Sequence, residues 1–325
     1  MTDISRRQAL ILGSSALVLP QAARADAAWP TAPVTFVVGY AAGGSTDINA
    51  RELAQVMTPV IGQQIIIDNK GGAAGSIGLR AVAAAKPDGQ TLFVAVGTNV
   101  IINPHVQKGM IDTISTLAPV CQVTSYQYVL VVGNKVPANN AAELVAMAKK
   151  EPDKLTYSSS GVGGNNHLAG ALFAETAGIK MIHVPYKGTG PAVADVISGQ
   201  ITMNFSSLPP AVSQIKGGNL KALAVTGDKR VSSLPDVPTL KEQGIDVVVT
   251  SWQGLFAPAK TPADVLDKIE KSTKEAMKNP KWHEALARDG LEQPPERSRA
   301  EFTKFVKDEH GFWGKKLKQL NIDME

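Results

Sequence analysis

The 325-residue chain carries 33 Lys or Arg against 29 Asp or Glu, a net charge of +4, with 44% apolar and 19% charged residues. These values suit a folded globular chain, and 29 Gly with 20 Pro, about 15% together, are too few for a low-complexity or collagen-like one. The near balance of charge leaves no broad basic footprint and argues against a nucleic-acid partner; one or two domains are expected, with no need of disulfides.

Residues 1–25 read as an export signal. Arg6 and Arg7 form a basic start, Ala9 to Leu19 an apolar run of 11 residues, and Ala23-Arg24-Ala25 a small-x-small cleavage signal. The run is roughly half of what spans a bilayer. Cleavage is expected after Ala25, with Ala27 the other candidate. Ser5 to Leu10 resembles a twin-arginine signal, although Ala9 stands where Phe is usual, so general secretion stays open. Removal of three Arg and one Asp leaves 300 residues at +2, expected to be periplasmic.

Short apolar runs then recur at Val34–Val38, Ile65–Ile67, Leu92–Val96, Leu130–Val132, Ile201–Phe205, Leu220–Val225 and Val247–Val249, each suited to a strand buried on both faces. Helical faces lie between them: Ala50, Leu53, Ala54, Met57 and Ile61; Leu168, Leu172 and Phe173; and, after Pro191, Val193, Val196 and Ile197. The alternation predicts an α/β fold with mixed, mostly parallel sheets flanked by helices. Cys121, the single cysteine, excludes an internal disulfide and a cysteine-rich zinc site, and reads as a small buried hydrophobe. The last 65 residues hold no convincing strand. Thr261-Pro262 predicts a helix start with Thr as cap, and Ser298-Arg299-Ala300-Glu301 fits a capping box. A stripe of Phe302, Phe305, Val306, Phe312, Trp313, Leu317 and Leu320 follows.

Three glycine-rich stretches follow predicted strands: Gly39–Asp47, Asn69–Gly78 and Ser158–His167. Glycine lets backbone approach a ligand closely, and free N–H groups at a helix start attract anions. In open α/β sheets ligands sit beyond the carboxyl ends of the strands, where these loops fall. None matches a P-loop or a dinucleotide fingerprint, so no nucleotide and no other cofactor is expected. G-x-S-x-G is absent, since Asp47 follows Gly43-Gly44-Ser45-Thr46, and Ser213-Gln214-Ile215-Lys216 lacks the partner motifs of an S-x-x-K enzyme. His105, His167, His183, His283 and His310 show no metal-ligand spacing, so no metal is expected. His167 alone falls in a candidate loop, where a structural bond at the helix start outweighs ligand contact.

Six segments, in order, resemble one family, the extracytoplasmic solute receptors of tripartite tricarboxylate transporters, often called Bug receptors. They are Tyr40–Asp47 with Ala50-Arg51, Asn69–Gly75, Pro87–Leu92, His183–Ala192, Leu234–Thr239 and Trp252–Pro258. The resemblance covers nearly the whole chain after the export signal and implies a two-lobed periplasmic binding protein of the Venus-flytrap, type II-like kind. Lobe 1 would comprise 26–123 plus 250–325 and lobe 2 would comprise 124–249. A small carboxylate would lie against backbone N–H groups of Ala41, Ala42, Gly43, Gly44 and Ser45, facing Ser160, Gly163, Gly164 and Asn165. Tyr40, Asp47, Ala74, Thr98, Thr189, Phe205 and Ser206 complete the implied ligand set, and no arginine clamp is evident in the three loops. The resemblance also implies a receptor that hands its solute to membrane permease subunits and is not an enzyme; a monomer is expected. Read from residues alone, a secreted α/β hydrolase using Ser45 or Ser160, and a carboxylate sensor with a signalling partner, stand as alternatives.

Overall fold

The computed structural model describes residues 29–107 and 109–320; the export-signal reading lies outside them. From the amino end, β1 (Val34–Val38) leads into α1 (Ser45–Ile61), whose Ala50, Leu53, Ala54 and Met57 face is buried as expected. The helix stops at Gly62, which takes the left-handed conformation (φ 68°) that closes a helix without a Cβ penalty. Then come β2 (Ile65–Asn69), α2 (Ser76–Ala83), β3 (Thr91–Val96), three short helices α3 (Gly97–Ile101), α4 (Asn103–Val106) and α5 (Thr113–Thr116), and the 17-residue β4 (Leu117–Gly133).

The middle of the chain runs α6 (Ala141–Lys150), β5 (Thr156–Ser159), α7 (Asn165–Ala177), β6 (Ile182–Pro185), α8 (Thr189–Ser198), β7 (Met203–Ser207), α9 (Leu208–Lys216) and β8 (Leu220–Val225). It returns through β9 (Thr250–Pro258) to three helices, α10 (Ala263–Ala276), α11 (Pro280–Asp289) and α12 (Arg299–Leu320).

Two lobes result because one strand serves two sheets. Leu117–Gln127 of β4 pair with β9 in the sheet β2-β1-β3-β9-β4, whereas Tyr128–Gly133 pair with β7 and β8 in the second sheet, which continues through β5 to β6. The αβ repeats give parallel pairs (β1 with β2 and β3, β5 with β6 and β7), and every pairing made by β4 or β9 is antiparallel. β4 and β9 run side by side where the lobes join. In each parallel region the strands end toward the other lobe, so the loops after them face one another.

The carboxyl-terminal helices pack on the first sheet. Ser298 and Glu301 form the expected reciprocal cap, with Ser298 N–H donating to Glu301 Oε2 (2.7 Å) and Glu301 N–H donating to Ser298 Oγ (3.3 Å). Phe302 and Val306 are fully buried, and Phe302 meets Trp252 edge-on at 5.5 Å. Cys121 is buried and free, its thiol pushed up to about 12 chiefly by that burial.

Several local expectations are corrected. Val247–Val249 form no strand: Val247 N–H turns back to Ile245 O, and Val248 is 47% exposed between two buried neighbours. The strand expected from Ile201 begins at Met203. Pro262, not Thr261, holds the cap position of α10, and Thr261 Oγ1 is buried without a partner. Phe312 leaves the apolar stripe and is 56% exposed, while the side chain of Leu320 lies outside the description. Among the described residues, no helix is long and apolar enough to cross a membrane.

Candidate functional site

A helix start leaves backbone N–H groups without intrahelical partners, and a Ser, Thr, Asp or Asn side chain normally takes one of them. Four helix starts here meet between the lobes, and none has a side-chain cap. They are the start of α1 at Gly44, α7 at Gly164, α8 at Gly188 and α9 at Ser207. Ser207 stands before α9 but has no N–H to cap, because Pro209 and Pro210 fill the two positions that would donate to it, and its Oγ is buried without a partner. Among the described residues, the N–H groups of Ser45, Thr46, Asn165, Asn166 and Thr189 also find no acceptor.

These groups surround a cavity of about 20 Å³ lined by Tyr40, Gly44, Ser45, Thr46, Val96, Thr98, Tyr126, Tyr128, Ser160, Asn165, Asn166, Thr189 and Ser207. That volume holds about one water, so a larger solute requires the lobes to part. The lining contains no charged side chain. Besides Ser207 Oγ, the buried Thr98 Oγ1 and Asn166 Nδ2 are unpartnered. An unpaired buried polar group costs about 1–3 kcal/mol, so three around one small cavity mark a place built for a polar occupant.

Hydrogen bonds hold the walls in place. Tyr40 Oη accepts from Asn99 Nδ2 (2.7 Å) and donates to Ala74 O (3.2 Å). Asn165 Nδ2 donates to Ser251 Oγ (2.7 Å), tying α7 to the joining strand β9, and Gln253 Nε2 donates to Ser45 Oγ (3.2 Å). Burial pushes the Tyr40, Tyr126 and Tyr128 hydroxyls above their ordinary range, keeping them neutral. Beneath the second-lobe loop, His167 and His183 stack at 3.8 Å and 4°. His167 Nδ1 accepts from Gly163 N–H (3.1 Å), and His183 Nε2 lies 2.6 Å from Ser159 Oγ. Burial first, then His167, depresses His183 to about 3.

Of the residues expected at a ligand, Tyr40, Gly44, Ser45, Thr98, Ser160, Asn165 and Thr189 come together on the lining. The others stand behind it. Ala41 N–H donates to Lys187 O (3.0 Å) and Gly43 N–H to Asp47 Oδ2 (2.9 Å), so neither amide is open to an anion, and Ala42 sits between them. Burial alone would raise the Asp47 carboxyl, but hydrogen bonds from Arg51, Gly43 and Asn69 hold it below the usual range. Asp47 thus braces the loop through Arg51 (2.9 Å). Ala74, at φ 47°, offers its carbonyl to Tyr40, Asn99 and Asn103. Gly163 and Gly164 shape the second-lobe loop. Phe205 is core, edge-on to Phe173 at 5.5 Å, and Ser206 Oγ is spent on Ser207 O.

Thr46, Val96, Tyr126, Tyr128, Asn166 and Ser207 are lining residues that sequence reasoning missed. Thr46 and Asn166 adjoin expected positions, and Ser207 carries a readable signal, a serine before Leu208-Pro209-Pro210. Tyr126 and Tyr128 have none, because they enter only where β4 crosses between sheets. A larger cavity of about 460 Å³ shares Thr98, Tyr126 and Asn165 and extends past Arg297, Glu309 and Trp313 on the flank. It contains charged side chains of both signs and none of the four helix starts except that of α7.

The profile of the tripartite tricarboxylate transporter family receptor matches residues 49–322. The UPF0065 protein in the TAR-I ttuE-ttuC' intergenic region of Agrobacterium vitis is 37% identical over 278 residues, 84% of this chain and 79% of that one. The solved structure of the periplasmic binding protein BugD has a TM-score of 0.86 at 34% identity, covering 90% of this chain and 99% of its own. An R. palustris protein solved with adipate also has a TM-score of 0.86, at 29% identity, over 90% of this chain and 99% of that one.

Proposed function

The chain belongs to the tripartite tricarboxylate transporter receptor family, solute-binding receptors that are not enzymes, and from that premise we propose that it captures a small carboxylate between its lobes and delivers it to membrane permease subunits. The observation that carries the reading is the set of five unpaired N–H groups, supplied by both lobes to one cavity without a charged side chain. Each helix start contributes roughly 0.3–1 kcal/mol toward an anion when exposed and up to about 2 when enclosed. Charge-assisted hydrogen bonds from amides and hydroxyls add to this. Adipate in a relative with the same fold supports the ligand class.

The reading takes lobe 1 as 26–123 plus 250–325 and lobe 2 as 124–249, a division supported by the two sheets sharing β4. The implied ligand set, with the lining residues in contact and Ala41–Gly43, Asp47, Ala74, Gly163, Gly164, Phe205 and Ser206 in support, belongs to the same proposal. So do export by the 1–25 segment, a periplasmic location and a monomeric state. Lobe closure encloses the solute and presents a changed surface to the permease. The hydrolase alternative fails chemically as well as by family: Ser160 Oγ donates to Asn166 Oδ1 and Ser45 Oγ accepts from Gln253, so neither has a histidine base.

A thermal-shift panel of mono-, di- and tricarboxylates on the purified chain tests the proposal. A ligand at about 100 times its dissociation constant adds roughly 2.7 kcal/mol, a rise of several degrees at this size. A flat response across the panel overturns the carboxylate reading. A strong response with no retention of the loaded protein by permease-containing membranes favours the sensor.

A further inference from the structure

We propose that Gln107 is an interlobe latch, a positioning residue that sets how long the closed state lasts without touching the solute. The proposal rests on the receptor reading above, and its site lies outside the lining of the small cavity. Gln107 follows α4 on the first lobe, and both ends of its amide are engaged. Its Oε1 accepts from Ser76 Oγ at 2.7 Å, within its own lobe, which fixes which way the amide faces. Its Nε2 then donates across the cleft to Val162 O at 2.9 Å. Val162 sits three residues before Asn165, so the bond holds the second-lobe loop that carries the α7 start.

The surroundings are built for this approach. Gly163 takes φ 79°, and a Cβ there would lie 3.0 Å from Asn103 Oδ1 and 3.3 Å from Gln107 Nε2. At Gly161 a Cβ would lie 3.0 Å from Ala74 N. Across the cavity a second contact joins the lobes: Ala41 N–H donates to Lys187 O at 3.0 Å, and a Cβ on Gly190 would lie 3.2 Å from Gly43 C. Apart from the Asn165–Ser251 bond at the joining strand, the lips touch at these two places, each permitted by glycine. Only the Gln107 place uses a side chain whose loss leaves the backbone unchanged. A net hydrogen bond shifts a two-state equilibrium by about two- to ten-fold, and the loss falls on the dissociation rate, because the bond forms only after closure.

Labels on cysteines placed at Lys86 and Lys180, exposed positions on opposite lobes, report the interlobe distance. Native Cys121 is buried and does not compete. In the ligand-free protein, Gln107→Ala is expected to move the distance distribution toward longer values. Gln107→Glu keeps the acceptor for Ser76 but lacks the donor for Val162, and is expected to do the same. Gly190→Ala, which wedges the other lip at a helical position free of backbone strain, is the independent route to the open state. With the carboxylate of the panel that gives the largest thermal shift, both Gln107 variants are expected to release two- to ten-fold faster with unchanged association. Unchanged distances in both Gln107 variants overturn the latch, whether or not Gly190→Ala opens the lobes, and so does an unchanged release rate. Should no carboxylate bind, the receptor reading fails by the thermal-shift panel while the ligand-free distances still decide the latch.

Discussion

Helix starts on the outside of this molecule and helix starts facing its cavity are built differently. On the outside, Asn140 Oδ1 accepts from Glu143 N–H (2.8 Å) at α6, Asn279 Oδ1 accepts from Lys281 N–H (3.0 Å) at α11, and Ser298 caps α12 with Glu301. Facing the cavity, α1, α7 and α8 begin after glycine, and α9 begins after a serine whose hydroxyl is idle. Caps of the first kind stabilise a helix by about 1 kcal/mol each. Omitting them at α1, α7 and α8 forgoes that stability and leaves donors that only an anionic or polar solute satisfies, whereas at α9 Pro209 and Pro210 offer Ser207 no N–H to cap. The pattern is not absolute, since α10 and α2 also lack side-chain caps. The contrast lies in what surrounds the start: inside, the free donors converge from two lobes.

The largest effect expected from this contrast comes from Ser45→Asp, which puts a carboxylate among the inner donors. At about 4 Å from a bound anion and an effective dielectric constant near 20, the repulsion is about 4 kcal/mol, on the order of a thousand-fold in affinity. An acid in the first turn favours the helix itself, so the ligand-free melting temperature is expected to hold or rise. Titration calorimetry with the best carboxylate of the panel reads the first effect and a thermal melt the second. Unchanged affinity removes the α1 start from the site.

A smaller effect is expected from Ser207→Ala. A hydroxyl donating to an anion contributes about 1.5–3 kcal/mol, so affinity is expected to fall by about ten-fold or more. Stability is expected to hold or improve, because the variant deletes a buried oxygen that has no partner in the closed protein. Loss of stability without loss of affinity would assign the Ser207 hydroxyl to the packing of the protein and break the comparison.

Sequence reasoning reached the inner loops for a physical reason and missed their neighbours for another. Gly43-Gly44-Ser45 and Gly163-Gly164-Asn165 announce themselves because a close backbone approach needs glycine wherever it occurs in a chain. β1 and β3 were legible because strands buried on both faces are almost continuously apolar, and β8 by the five apolar residues around Lys221. β5 was not: Thr156-Tyr157-Ser158-Ser159 is polar, and it is buried because Asn204 Nδ2 reaches Ser158 O (2.7 Å) and Oγ (2.9 Å) from β7. Val247–Val249 failed in the opposite sense, apolar enough for a strand yet held as a turn by contacts with Ile245 and Thr226. Tyr126 and Tyr128 reach the cavity only through the register of β4 with β9 and β7, which no local pattern encodes. Pairing of Tyr128 with Ser207 and of Tyr126 with Ser251, far apart in the chain, decided those positions.

The outer serine supplies the smallest effect and the sharpest control. Ser298 stands before α12 as Ser207 stands before α9, but its Oγ is occupied, accepting from Glu301 N–H and donating to Glu301 Oε2 (2.8 Å). Ser298→Ala removes an engaged cap, with an expected cost of about 1 kcal/mol and a fall of about 2 °C in melting temperature at this chain length. Carboxylate affinity is expected to stay within about two-fold, because α12 packs on the first sheet through Phe302 and Val306 and its start is absent from the cavity lining. The same substitution at two helix starts is thus expected to lower affinity alone in one case and stability alone in the other. A thermal melt and a titration on each variant read the four values. If Ser298→Ala weakens binding as much as Ser207→Ala does, the uncapped starts are not set apart for the solute, and the difference between the two groups of helices reflects local sequence alone.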